Sequence, residues 1–270
     1  ALLAHALEVR LIDCFVTVGF TRSNSSFVLA SGIPMVAVPV IGSTIEDVID
    51  TAGSKYTHSG ILGALSDAAA SFPNGKIGLV ALPCELQGLR RMHTSLQGSY
   101  KFAGSGVTGG RPALTIGLFC SKVYHYDKLV REFILGKHGI DPSRVTRTVI
   151  KRARFKVYVG SVAIADAPLK ELDQYMSGPC RYCIDYTAEL ADISVGAIGS
   201  PDGWNTVIVR TNLGQSLFDS AKKANAIEAR PIDPIRPSLD PLIRLATKKN
   251  QQNNAYYVRK KTETNRVTCP

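Results

Sequence analysis

The sequence predicts a mixed α/β fold: a sheet covered by helices, with a strand-rich part toward the C-terminus. Three observations predict it. Two short, wholly apolar runs, Lys76 to Leu82 and Ala113 to Phe119, read as strands buried on both faces. Helical patterns alternate with them, at Ile61–Ala70, Glu85–Met92 and Asp127–His138, which is the order of a sheet joined by crossover helices. From Arg154 onward the pattern changes to alternating segments around Gly160, which read as a hairpin.

The remaining elements follow in order. Ala1 to Val9 reads as a helix and Ile12 to Val18 as a strand. Ser25 to Val40 holds extended apolar pieces broken by Ser31-Gly32 and two prolines. Ser43-Thr44-Ile45-Glu46 has a capping-box pattern, with a hydroxyl at the cap and a carboxylate three residues on, so a short helix to about Thr51 is expected. Gly53-Ser54-Lys55-Tyr56 is a tight loop and Pro73-Asn74-Gly75 a turn. Gly104 to Gly110 is a glycine-rich link. Ile193–Ile198 and Thr206–Arg210 read as strands around Ser200-Pro201-Asp202-Gly203-Trp204, and Leu213–Ala226 as a helix. Arg230 to Pro241 carries four prolines and wraps, and the polar segment after Lys249 reads as a loose tail. The expected organisation is an N-terminal α/β part, residues 1–110, a C-terminal α/β part carrying the paired cysteines and the Ser200–Trp204 loop, residues 111–250, and a basic tail, 251–270.

Composition narrows the class. A chain of 270 residues that is 45% hydrophobic and 20% charged can bury a full core, which excludes disorder. No apolar run approaches the roughly 20 residues that span a bilayer, and no export signal opens the chain, so a cytoplasmic protein is expected. The net charge of +10 is concentrated. Arg144 to Lys156 holds six positive charges and no acid, and Lys248 to Arg266 has six against Glu263. Such runs are solvated faces or attract polyanions. Nucleic acid is not supported, because no zinc-finger spacing or aromatic RNA-binding motif accompanies them.

Cysteine placement is the strongest chemical signal. Cys84 and Cys120 each follow an apolar strand; if those strands are parallel neighbours, both thiols lie at the carboxyl edge, where open α/β sheets place ligands. Cys84 also stands at a helix start, which favours thiolate. Cys180 and Cys183 form a CxxC after a Gly-Pro turn. From these residues alone three readings stand: a 4Fe-4S cluster, a zinc site, or inert buried thiols. Cys14 and Cys269 read as bystanders.

The run Gly178 to Gly214, GPCRYCIDYTAELADISVGAIGSPDGWNTVIVRTNLG, resembles the beta-subunit family of coenzyme F420-dependent hydrogenases and dehydrogenases. The likeness extends to AGSKYTHS (Ala52 to Ser59), LPCELQGLRRM (Leu82 to Met92) and IGLFC (Ile116 to Cys120), and onward to about Thr247. The resemblance implies an archaeal oxidoreductase subunit of methanogenesis. It would carry FAD and one 4Fe-4S cluster, exchanging electrons between coenzyme F420 and an iron–sulfur electron-donor subunit of a hydrogenase or formate dehydrogenase. It implies cluster ligation by Cys84, Cys120, Cys180 and Cys183. Gly53, Ser54, Lys55 and Tyr56 resemble the family's flavin-facing loop, and Gly199, Ser200, Pro201, Asp202, Gly203 and Trp204 would form a rigid loop beside the isoalloxazine. No catalytic residue is assigned. Asp185 and Asp192 read as caps before flavin contacts, and His58 and His125 as structural before catalytic. The basic run at Arg152 and Arg154 gains a polyanionic candidate in the coenzyme's tail. The family also has an Asp-Gly-Gly run entering the first helix, within which these residues begin. The lack of extra ferredoxin-type cysteine repeats favours the hydrogenase subunit. The alternatives are a ferredoxin-linked FAD and iron–sulfur reductase with another acceptor, or a non-catalytic zinc-stabilised scaffold.

Overall fold

The computed structural model describes residues 1–20, 33–94, 111–233 and 235–267. The glycine-rich link 104–110, the first half of the 25–40 segment (25–32) and Cys269 lie outside them. Among the described residues, no helix is long and apolar enough to cross a membrane.

A six-stranded sheet organises the chain. Its strands are β1 (Cys14–Phe20), β2 (Ala37–Gly42), β3 (Ile77–Ala81), β4 (Leu114–Leu118), β8 (Ile193–Gly196) and β9 (Thr206–Val209), in the order β2-β1-β3-β4-β8-β9. The four central strands are parallel; β2 and β9 add antiparallel edges. β3 and β4 are therefore the parallel neighbours that the apolar runs suggested, paired from Gly78 with Leu114 to Ala81 with Gly117.

The strand order explains how the helices cover the sheet. From β1 through β3 and β4 to β8 each crossover steps in the same direction, and crossovers are right-handed, so all of them fall on one face. On that face α3 (Ile61–Ser71) and α4 (Pro83–Thr94) bury Ile61, Leu65, Leu86 and Leu89 against Cys14, Val16, Ile77 and Leu79. The opposite face is left to α1 (Leu2–Glu8) and α6 (Asn212–Lys223), which bury Leu3, Ala6 and Leu217 against Phe15, Leu114, Ile116 and Ile193.

A second sheet, β5 (Arg147–Lys151), β6 (Arg154–Val159) and β7 (Val162–Pro168), is antiparallel throughout. It packs on α5 (Asp127–Lys137), a helix of wide π-type turns, around Phe133, Phe155, Val157 and Leu172. The basic run is the β5–β6 hairpin itself. Its turn residues Arg152 and Ala153 both have positive φ, 51° and 56°, the twist that tight hairpins favour but without the usual glycine.

Two local expectations need correction. The capping box is shifted by one residue: Thr44 is the N-cap of α2 (Ile45–Asp50) and Asp47 the reciprocal carboxylate. Strand β2 runs through Gly42, and Asp47 Oδ2 accepts from both Ser43 N (2.9 Å) and Thr44 N (3.0 Å), which fixes that register. The segment after Lys249 is not a loose tail. It belongs to α7, Asp240–Val267, a 28-residue helix. Pro241 at its first turn and a run of Lys, Gln, Arg and Ala favour helix, and side-chain anchors described below hold it.

Candidate functional site

The carboxyl ends of β3 and β4 carry the first two thiols. Cys84 lies in the first turn of α4, directly after β3, and Cys120 two residues beyond β4. The chain after Cys120 is tied to the CxxC segment by backbone hydrogen bonds. Cys120 N donates to Tyr186 O (2.9 Å), Ser177 N to Val123 O (2.9 Å) and His125 N to Tyr175 O (3.2 Å). A short 3₁₀ turn, Gly178–Arg181, then presents Cys180, with Val123 N aimed at its Sγ at 3.4 Å.

The four thiols share one electrostatic neighbourhood. Burial pushes Cys120 up to about 12; the charge of Lys249 opposes this, and Cys180, Cys84 and Cys183 add to it. Cys84 reaches the surface, yet surrounding protein still raises it to about 11, with Glu85, Cys183 and Cys180 adding. The helix-start effect expected there is outweighed. Cys180 is also raised by burial, against the Val123 N–H. Cys14, in the core at the start of β1 and so at the opposite end of the sheet, is raised to about 11 by burial and then Asp13, as befits a bystander.

Among the described residues, no three His, Cys, Asp or Glu side chains close on a point where a single metal ion would sit. The donor set nevertheless suits a cluster in kind: four soft sulfurs from three segments, with a backbone N–H aimed at one of them. A single zinc draws its four sulfurs to one centre, whereas a four-iron cube gives each sulfur its own metal, so its ligands stand farther apart.

A helix anchors this region that the sequence reading missed. From α7, Lys249 Nζ donates to Cys120 O (2.8 Å) and Asp185 O (2.6 Å). One turn later, Asn253 Nδ2 donates to Cys180 O (2.8 Å) and Cys183 O (2.6 Å). The available signal was the i, i+4 spacing of two long donors. Composition alone hid it.

The sheet face opposite α3 and α4 holds a cavity of about 820 Å³, within the range of small-molecule sites. Its floor is apolar, from Val80, Ile116, Val195 and Val207. Its walls include Leu2 and Leu3 of α1, Phe218 of α6 and the wrapping segment 226–232. Of the predicted flavin loop, Ser200, Pro201, Gly203 and Trp204 line it. Gly199 has φ +99° and no room for a side chain, with Ser238 O and Thr206 Oγ1 each 2.9 Å from where a Cβ would stand. Gly203, at φ +88°, turns the loop into the cavity. Arg230, also unforeseen, lies over the Trp204 indole at 4.7 Å and pairs with Glu228 at 2.6 Å. An apolar floor, a half-buried indole and a nearby guanidinium fit a flat ring bearing a diphosphate.

The other predicted residues go elsewhere. Asp202 faces the basic hairpin, paired with Lys151 (2.9 Å) and Arg152 (3.4 Å). Gly53, Ser54, Lys55 and Tyr56 do not line the cavity, which reaches only Thr51 and Ala52 of that stretch. Lys55 Nζ donates to the carbonyls of Thr51, Ala52 and Gly53, closing the end of α2. Tyr56 packs edge-on to Phe155 and its hydroxyl accepts from Ile150 N at 2.9 Å. His58 meets Ser177 Oγ at 2.7 Å, and burial, then nearby His125, lowers its pKa. Asp185 accepts from Glu189 N (2.9 Å). Asp192 joins β4 to the cap of α6.

Comparison with known proteins identifies the family and matches the fold. The family model for the N-terminal part of the coenzyme F420 hydrogenase/dehydrogenase beta subunit matches residues 1–66, and that for its C terminus matches residues 74–235. The chain is 32% identical over 260 residues to the coenzyme F420 hydrogenase subunit beta of Methanococcus voltae, covering 95% of this chain and 85% of that protein. It is 32% identical over 224 residues to a coenzyme F420-dependent sulfite reductase of Methanocaldococcus jannaschii, covering 81% of this chain and 35% of that protein. A chain from the F420-reducing [NiFe] hydrogenase complex of Methanosarcina barkeri superposes with a TM-score of 0.82 at 30% identity, covering 97% of this chain and 84% of that one. The chain is a member of the coenzyme F420 hydrogenase/dehydrogenase beta-subunit family of oxidoreductases.

Proposed function

We propose that this chain is the electron-transfer subunit of an F420-linked complex, holding FAD in the cavity and a 4Fe-4S cluster on Cys84, Cys120, Cys180 and Cys183. The observation that carries the reading is their common placement. The cavity floor includes Val80, beside the carboxyl end of β3, and Ile116, at the middle of β4, the same two strands that Cys84 and Cys120 follow.

When bound, a flavin converts single electrons into the hydride that a deazaflavin accepts. The chain's own residues do the rest. Val80, Ile116 and Val195 exclude water from the cavity floor. Trp204, held by Gly199 and Gly203, offers a flat wall, and Arg230 over it offers charge to a diphosphate. The four cysteines would give up their protons to ligate iron; because burial holds the Cys84, Cys120 and Cys180 thiols high, loading would release protons. The Val123 N–H steadies the Cys180 sulfur. The partner expected is an iron–sulfur donor subunit of a hydrogenase or formate dehydrogenase.

The test is a visible spectrum and an iron assay of the anaerobically purified protein, then the same for Cys→Ser at each of the four positions and at Cys14. Flavin bands with a broad iron–sulfur shoulder support the reading, provided each of the four variants loses the shoulder and Cys14→Ser keeps it. A colourless zinc protein refutes it. Bleaching of the flavin by reduced coenzyme F420 separates this reading from a reductase with another acceptor.

A further inference from the structure

Lys249 presents an unusual combination. It is only 9% exposed, and its ammonium group contacts two neutral carbonyls, Cys120 O and Asp185 O. Among the described residues it makes no ion pair. Asp185, whose carbonyl it holds, makes no ion pair with it: one carboxylate oxygen accepts from Glu189 N, and the other, Oδ1, is buried without a hydrogen-bond partner. A buried cation without a counter-ion is costly, because desolvation is not offset by carbonyl dipoles alone. Its charge acts on Cys84, Cys120 and Cys180 together.

Asn253 makes the comparison informative. It stands one turn away on the same helix and clasps two more of the ligand-bearing residues through Cys180 O and Cys183 O at 2.8 and 2.6 Å. The two side chains thus play the same bridging role, one charged and one neutral.

We propose that Lys249 is a positioning residue that serves as the buried counter-charge of the thiolate cluster and holds its reduction potential up. This rests on the cluster assigned above. A cluster that gains one electron becomes more negative by one unit, and a fixed positive charge beside it favours that reduced form. Asn253 holds the same loop without affecting that balance.

The experiment is a dye-mediated redox titration of the purified protein, followed by electron paramagnetic resonance and iron content. Wild type is compared with Lys249→Gln, Lys249→Arg and Asn253→Ala. Lys249→Gln keeps a donor and removes the charge. It should disfavour reduction about tenfold, a midpoint lowered by about 59 mV for a one-electron couple. Lys249→Arg should stay within about threefold of wild type, roughly half that shift. Asn253→Ala should lose part of its iron and leave the midpoint of the remainder in place. Iron lost from the Gln variant but kept by the Arg variant also requires the charge. An unchanged midpoint in Lys249→Gln overturns the inference, as does an equal shift in Asn253→Ala. Loss of iron from both Lys249 variants reduces the residue to a scaffold and overturns it too. Absence of iron from wild type defeats the cluster assignment and this inference with it, whereas iron present with an unmoved midpoint defeats this inference alone.

Discussion

Replacing Asp192 with Ala should destabilise the fold more than any other single change at an incompletely buried polar side chain. Its Oδ2 accepts from Thr115 N (2.8 Å) and Thr115 Oγ1 (2.6 Å), and its Oδ1 accepts from Thr211 Oγ1 (2.7 Å). One carboxylate therefore joins β4, the start of β8 and the residue that caps α6. Hydrogen bonds to a charged group contribute about 1.5–3 kcal/mol each, and a buried donor left without a partner costs about 1–3 kcal/mol. The Thr115 amide is the donor that cannot recover, since that residue is only 4% exposed. The two hydroxyls can rotate toward other acceptors. A loss of about 3–5 kcal/mol follows, or roughly 6–20 °C in Tm at about 2–4 °C per kcal/mol for a chain of this size. Urea unfolding followed by circular dichroism reads it as a lower midpoint with an unchanged slope. Asp192→Asn keeps one acceptor oxygen and should lose about half as much. A loss below about 1 kcal/mol in the alanine variant would mean that the sheet and the α6 cap do not depend on this carboxylate, and the reasoning would fail.

Arg230→Ala removes the guanidinium over Trp204. Arg230 is itself exposed, where such a contact contributes about 0.5–1 kcal/mol, so flavin affinity measured by fluorescence quenching should fall about two- to fivefold; no change would detach Arg230 from the cavity's ligand. Arg152→Glu and Arg154→Glu should differ. Arg152 is highly exposed, so reversing it should raise the KM for coenzyme F420 and flatten its salt dependence. Arg154 is held by Asp166 at 2.7 Å, so its reversal should loosen the hairpin instead, and identical kinetic effects would contradict this split. His58 has a pKa below the ordinary 6.5 because burial disfavours its charged form. The unfolded chain then takes up that proton first as pH falls. The stability His58 contributes is present above about 6.5 and is lost as the pH drops toward its folded pKa. Thermal midpoints across that window should fall less in His58→Gln than in wild type, and parallel curves would count against it.

The central sheet was legible because its parallel strands are continuous apolar runs, and their ends could be located by the cysteines that follow. Knowing that β3 and β4 are adjacent converts two distant thiols into neighbours, which periodicity alone cannot do. The capping box slipped by one residue because Ser43 and Thr44 both offer a hydroxyl, while Glu46 and Asp47 both offer a carboxylate; only where β2 ends decides between them. Lys55 looked like a flavin contact because a lysine in a Gly-Ser loop is usually free to reach a phosphate. Here the carbonyls at the end of α2 take its ammonium first. Helix α7 was illegible because its side chains are polar nearly throughout, so it shows no apolar stripe. Two hydrogen-bonded anchors, Lys249 and Asn253, hold it where a hydrophobic face usually would. Arg230 was hidden for a similar reason: nothing in a proline-rich stretch announces which residue will fold back over an indole 26 positions earlier.

The cavity's walls come from widely separated parts of the sequence, Ala1 to Leu3 on one side and Ala226 to Ile232 with Ile235 on the other. During synthesis the sheet floor can form from residues up to about 209, but the vessel stays unsealed until the proline-rich strap has left the ribosome and wrapped back. Whatever occupies it is enclosed only after that strap has wrapped back, and a nascent chain stalled before residue 226 should release its cargo freely.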